Sequence, residues 1–247
     1  MPLKTFRSRR TRNSRNRRTR RNLRNRRSVR RPYRKSMGTM MRYSGRNVVA
    51  NRFRTKLVYA DFFTSTTAGG GAILWRQFAL NGLFDPDITG AGHQPRGFDQ
   101  FCPTLYANYA VRGAKVVIEG RFSSGNLDTN PVTGNVILGA VSPLYTALPS
   151  DMSTASELQQ YITVTRDDQR SFRISKYYTV AHVMGIPRSK VLQELNYAGS
   201  NTSNPTTTPL ICVGFVNMNS ATVISIQWSI TIVYYVDFYS PVTLAQS

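Results

Sequence analysis

The chain has 247 residues, with 33 basic and 12 acidic side chains and a formal charge of +21. A solubilising surface needs a net charge of only about 2 to 8, so this excess points to a polyanionic partner. The two cysteines, Cys102 and Cys212, are too few and too widely spaced to read as a disulfide framework, and both are expected to be buried small hydrophobes. There is no apolar run of about 18 residues to span a membrane and no apolar stretch after the basic start to serve as a secretory leader, so no membrane insertion is expected.

The charge is concentrated at one end. Of the basic residues, 22 precede Asp61, the first acid, leaving 11 basic residues against all 12 acids in the remainder. Residues 1–50 therefore read as an Arg-rich nucleic-acid-binding and nuclear-targeting arm, and residues 51–247 as one β domain. The candidate nucleic-acid-binding residues are Arg7, Arg9, Arg10, Arg12, Arg15, Arg17, Arg18, Arg20, Arg21, Arg24, Arg26, Arg27, Arg30, Arg31, Arg34 and Lys35. Like charges at this density repel, and few apolar groups are present to offset chain ordering, so the free arm is expected to be disordered.

The preference for Arg over Lys favours phosphate, because a guanidinium forks two donors onto it and also stacks on bases. Without a base-reading element, binding is expected to tolerate any sequence and to run on counterion release. Nuclear import receptors are a second expected partner of the same clusters. A mitochondrial presequence needs an amphipathic stripe, and Leu3, Phe6, Leu23 and Val29 are too sparse to make one. A membrane-surface helix fails for the same want of an apolar face. Residues 36–51, loose with Gly and Ser, lead into the domain; Tyr33 and Tyr43 could stack on bases or cover the domain's edge.

From Arg52 onward the dominant period is two. Strands are expected at Arg52–Thr64, with Phe53, Leu57, Tyr59 and Phe63 facing a core and Arg52, Arg54 and Lys56 opposite, and then at Ala72–Leu80 and Tyr109–Ser123. Asn135–Leu144 is apolar on both faces and reads as a central strand. Gln160–Arg166, Ser171–Gly185 and Pro209–Met218 follow. Val223–Tyr239 is the clearest, with Ile224, Ile226, Trp228, Ile230, Ile232, Tyr234, Val236 and Phe238 on one face. Its length points to a large, curved sheet. Helices are expected at Phe98–Ala107 and Ser153–Gln160, with a further turn near Ser189–Leu195. Eight strands joined by long connections make the fold class all-β: a single eight-stranded jelly roll of two packed four-stranded antiparallel sheets.

Between the second and third strands runs Leu80-Asn81-Gly82-Leu83-Phe84-Asp85-Pro86-Asp87-Ile88-Thr89-Gly90-Ala91-Gly92-His93-Gln94-Pro95-Arg96-Gly97-Phe98-Asp99-Gln100, followed by Tyr106-Ala107-Asn108-Tyr109-Ala110-Val111. This stretch resembles the capsid proteins of circovirus-like viruses, which carry circular single-stranded DNA and encode a replication-initiator protein. The match is sharp over residues 80–116; the arm and the strand spacing extend it along the whole chain. The resemblance implies a jelly roll assembled in sixty copies into an icosahedral shell, with the arm turned inward onto a single-stranded DNA genome. It also implies location in the virion and in the host nucleus during assembly, and a host-cell receptor the sequence does not identify.

Physically, the motif reads as a structural connection. Pro86 and Pro95 fix φ, and Gly90, Gly92 and Gly97 permit positive φ. Asp85, Asp87 and Asp99 are expected to cap turns and the following helix, and Phe84, Phe98, Phe101, Tyr106 and Tyr109 to supply packing. Gln94 and Gln100 belong to the same connection, His93 is expected to bond locally within it, and His182 reads as a strand-face residue.

No Cys or His pair has metal-ligand spacing, and the Asp85/Asp87 and Asp167/Asp168 pairs lack further oxygen ligands, so neither a metal nor another cofactor is expected. No phosphate loop or nucleophile motif occurs, and the chain is expected not to be an enzyme. Two other functions fit parts of the pattern. A cellular RNA- or ribosome-associated binding protein would show a basic patch on the body, and a lectin-like jelly roll would leave the arm unexplained. Arg76, Arg112, Lys115 and Arg121 are the body residues that could touch DNA, or else form ion pairs.

Overall fold

A computed structural model describes residues 49–67, 71–123, 134–144, 147–157, 163–167, 171–217 and 223–243. Its strands are β1 (Arg52–Thr67), β2 (Ile73–Ala79), β3 (Tyr106–Ser123), β4 (Gly134–Val141), β5 (Thr163–Asp167), β6 (Ser171–Thr179), β7 (Ala198–Gly199), β8 (Leu210–Asn217) and β9 (Ile224–Pro241). All pairings are antiparallel: β1 with β9, β2 with β8, β3 with β6 and β4 with β5. These four pairs are successive rungs of one long ribbon. Rolling it up brings β9 against β3 and β8 against β4, giving sheet orders β1-β9-β3-β6 and β2-β8-β4-β5. That is the jelly-roll wrap expected from the strand count. The ninth strand, β7, adds only two residues to β3.

The long strands follow from composition. β9 alternates buried Ile224, Ile226, Trp228, Ile230, Ile232, Tyr234, Val236 and Phe238 with more exposed partners, and β1 faces it over the full span from Arg52↔Tyr239 to Thr67↔Ile224. Leu57 and Tyr59 are buried beneath β1, with Phe53 and Phe63 packed against the same core. Phenols tie the two sheets together. Tyr234 Oη on β9 donates to the Ala79 carbonyl at 2.9 Å, and Tyr178 Oη on β6 donates to the Leu138 carbonyl at 3.2 Å. Each places a polar tip in the core only because a carbonyl on the opposite sheet accepts it.

β4 is buried along its entire length, as its apolar faces predicted, and it lies between β8 and β5. Its second face is covered by α2 (Met152–Glu157), which builds a small separate cluster of Ile137, Val216 and Ala155 with Ile73, Trp75 and Met152 at its margin. Trp75 Nε1 fastens this layer by donating to the Pro149 carbonyl at 2.7 Å.

Two expectations are corrected. The helix expected over Phe98–Ala107 is the single turn α1 (Phe98–Phe101), because Tyr106 already enters β3. The strand expected over Ser171–Gly185 stops at Thr179 and turns into α3 (Val180–Met184). Thr179 Oγ1 accepts from the His182 backbone N–H at 3.2 Å, and Gly185, at φ 66°, closes the helix in the left-handed region. His182 is therefore a helix residue. After it come α4 (Lys190–Gln193) and a 3₁₀ turn at Leu195–Tyr197, where a turn was expected. Cys102 and Cys212 are both buried and free. Burial pushes their thiols up to about 11 and about 12 respectively, which keeps them uncharged and unreactive.

Candidate nucleic-acid interface

Alternation in the first sheet puts every second residue on the face away from the core. Rows across it read Arg52–Tyr239–Asn108, Arg54–Asp237–Ala110, Val58–Val233–Lys115–Tyr177, Phe62–Ser229–Glu119–Arg173 and Thr64–Gln227–Arg121–Ser171. Lys56 lies opposite Tyr235. A bulge between Val111 and Gly113 adds Arg112 to the same face. The described face thus gathers Arg52, Arg54, Lys56, Arg112, Lys115, Arg121 and Arg173 against Asp237 and Glu119. Three of the basic residues counted with the arm, Arg52, Arg54 and Lys56, belong to β1 and to this surface.

One carboxylate organises the cations. Asp237, with no side-chain exposure, accepts from Arg54 Nε at 2.9 Å and from Arg112 Nη2 at 2.6 Å and Nε at 3.0 Å, with Arg52 Nε 3.5 Å away. Burial pushes its carboxyl up, but the bonds and charges of Arg112 and Arg54 outweigh that and hold it below its ordinary value. Three guanidiniums on one carboxylate leave an excess of about two positive charges, with donors still free to meet a phosphate.

The other body candidates divide. Arg76 is structural: its Nη2 contacts Asp87 Oδ2 at 2.5 Å, and its guanidinium stacks 3.7 Å from the centre of the Phe63 ring. Arg121 donates to Gln227 Oε1 at 3.0 Å, and Arg173 pairs with Glu119 at 3.0 Å, both in the open. Lys115 is exposed. The sixteen arm residues, Arg7 through Lys35, lie outside the described residues.

The 84–100 connection folds against the rim between the sheets. Asp87 is its centre: fully buried, it accepts from Thr89 N at 3.1 Å and Thr89 Oγ1 at 3.0 Å besides pairing with Arg76. Gly90 and Gly92 serve close approach instead of positive φ, since a Cβ at Gly90 would sit 2.7 Å from Arg76 Nη2 and one at Gly92 3.0 Å from Asp87 Cβ. Only Gly97 of the three is left-handed, at φ 84°, where it starts α1. Among the described residues neither Asp85 nor Asp99 caps α1, which has no side-chain cap, and Asp99 accepts from Thr104 Oγ1 through its carbonyl. Burial, and then the charge of Asp87, raises the Asp85 carboxyl.

Pro86 accepts from Ala79 N at 2.7 Å, and Pro95 accepts from Phe98 N at 3.0 Å. Phe98, Tyr106 and Tyr109 are buried and Phe101 stacks on Phe53, but Phe84 is exposed. His93 bonds locally on one side only: Nδ1 lies 2.9 Å from the Gln94 carbonyl, while Nε2 lies 3.1 Å from the Ala60 carbonyl on β1, 33 residues back. Gln100 donates through its backbone to the Gly97 carbonyl at 3.3 Å.

The brace of this connection was missed in the sequence. Asn204, from the uncharged loop before β8, accepts from the Phe84 and Asp85 backbone N–H groups at 3.1 Å each and donates to the Asp85 carbonyl at 2.7 Å. Gly82 makes room for it, since a Cβ there would lie 2.6 Å from Asn204 Cγ. Among the described residues no group of three His, Cys, Asp or Glu side chains is gathered to hold a metal, and no helix is long and apolar enough to cross a membrane.

No protein-family model matches the chain, and no curated protein sequence matches it. Solved structures do. It is similar to the 60-mer BFDV capsid protein, with 10% identity over 80% of this chain and 100% of that one and a TM-score of 0.42. It is also similar to a semi-empty virus-like particle of the prawn Macrobrachium rosenbergii nodavirus, with 13% identity over 81% and 100% and a TM-score of 0.40. For Desmodium yellow mottle tymovirus the identity is 13% over 78% and 93%, with a TM-score of 0.34. The jelly roll itself stands on the strand order given above.

Proposed function

We propose that this chain is the structural subunit of a small icosahedral virion, a sixty-copy shell that packages circular single-stranded DNA through its Arg-rich arm. The observation that carries the reading is the union, in one chain, of 22 basic residues ahead of the first acid with a jelly roll whose 80–116 stretch resembles circovirus-like capsid proteins. A polycation with no base-reading element suits a genome that must be held whatever its sequence. A sandwich whose rim connection is braced from two sides suits rigid contacts between copies. Passage through the host nucleus follows from the same basic clusters.

A second reading, a cellular RNA-binding or ribosome-associated protein, gains from the basic face of the first sheet, because the body is not the neutral surface its overall charge implies. Expression of the intact chain separates the two. Capsid function is expected to yield closed particles that retain single-stranded DNA, whereas a cellular RNA-binding protein stays a monomer or small oligomer. Deleting residues 1–35 should weaken DNA retention far more than it affects folding of the domain; undiminished retention would remove the arm from the mechanism.

A further inference from the structure

Beside the Asp237 cluster lies a cleft of about 200 Å³ lined by Arg112, Tyr177, Thr179, Ala181, Arg188 and Val191. We propose that it is a second nucleic-acid site, on the domain itself, that seats one phosphate of single-stranded DNA between Arg112 and Arg188 and stacks the adjoining base on Tyr177. The proposal rests on the packaging function above and adds to it a defined binding point outside the arm.

The cleft exists because β6 ends early. The switch to α3 at Val180 and the turn into α4 place Arg188 across from Arg112, with Val191 as an apolar floor. Gly113 also matters, since a Cβ there would clash with the Tyr178 carbonyl and lie 3.0 Å from Tyr177 Oη. Arg188 is exposed and forms no ion pair among the described residues. Among the described residues Arg112 pairs with Asp237, which it shares with Arg54 and Arg52. Both guanidiniums therefore keep positive charge for an anion, and both act on the Tyr177 phenol between them.

The volume favours a polymer's phosphate over a free nucleotide, because pockets that enclose a whole small ligand run to roughly 300–1,000 Å³. The surroundings favour nucleic acid over another polyanion. Tyr177 is 50% exposed and meets Tyr235 edge-on at 5.4 Å and 89°, and Lys56 Nζ sits 5.2 Å from the centre of the Tyr235 ring. Aromatic plates alternating with cations are what base stacking along a single strand uses, whereas a sulfated polysaccharide calls only for the cations. Neighbouring strands lie about 4.8 Å apart, so two strand spacings, about 10 Å, carry this track from Lys56 on β1 to Gly113 on β3.

The test uses the full-length protein bound to a single-stranded oligonucleotide carrying bromodeoxyuridine, with irradiation and mapping of the crosslinked peptides. A crosslink at Tyr177 is expected in addition to those in the arm. Arg188→Ala should reduce it about tenfold while arm crosslinks persist, and should lower the log–log salt slope of binding by about 0.7, one phosphate's share. Arg188→Lys should restore the slope, which a merely structural role would not do. Arm crosslinks with none at Tyr177 would overturn the site and leave packaging intact; no crosslink in any peptide would overturn packaging as well. Loss of the Tyr177 crosslink to heparin, at a level that spares the arm's, would assign the cleft to sulfated polysaccharide and overturn the proposal.

Discussion

At the scale of single residues, Asp237 decides the most. Its position in β9 reads as one of the alternate polar residues of a solvent face, and its direction is indeed outward. Yet it is buried, because Arg54, 183 residues away, and Arg112, 125 away, close over it. Charge-assisted bonds of this kind contribute about 1.5–3 kcal/mol each when desolvated, and less here because the arginines are partly exposed. Asp237→Asn should therefore cost on the order of 2 kcal/mol at neutral pH in denaturant titration. The carboxyl's folded value lies below its ordinary 3.8. Its stabilisation is accordingly complete above that value and lost as pH falls through the lower folded one. The gap between wild type and variant should narrow below about pH 4; a gap that stays constant down to about pH 2 would mean the carboxylate's charge plays no part. Asn204 makes the same point about sequence. One of two Asn residues in a Ser/Thr-rich loop, it gives no sign that its amide will hold two backbone N–H groups 120 and 119 residues back.

At the scale of elements, what was legible and what was not have one physical cause. Strands longer than ten residues repeat their period of two often enough to be unmistakable, so β1, β3 and β9 could be placed from the sequence, β1 and β9 with their core faces, whereas the bulge at Val111/Gly113 breaks the alternation of β3. Over five residues the helical and strand periods coincide: Val180, Ala181 and Val183 around His182 fit either. The deciding signals were local, a Thr whose hydroxyl accepts from the N–H three residues later and a Gly at the exit. These caps make the cleft possible, since they turn the chain out of the sheet where Arg188 can face Arg112. Thr179→Ala should cost about 1 kcal/mol in equilibrium unfolding, with Thr179→Ser close to wild type. If alanine were as stable as serine, the hydroxyl would not be capping α3, and the switch at Val180 would need another cause.

At the scale of the whole molecule, net charge concealed a surface. Outside the arm the chain sums to nearly zero, but the cations collect on one sheet face while acids such as Asp61, Asp87, Asp99 and Asp151 lie elsewhere, which only the strand register reveals. In the shell proposed above, this distribution would set a barrier to assembly, because each copy would bring an Arg-rich segment and a basic face that repel those of its neighbours. At 0.1 M salt the screening length is about 10 Å; at 1 M it is about 3 Å. Nucleic-acid-free protein should therefore sediment as small species at about 0.1 M salt and form particles once single-stranded DNA is added. It should also form them without DNA near 1 M salt, where arms and faces no longer sense one another. Sedimentation velocity distinguishes these states directly. Particles forming equally well at low salt with no polyanion present would show that contacts between domains outweigh the repulsion, and would overturn the proposal that a genome supplies the counter-charge that closes the shell.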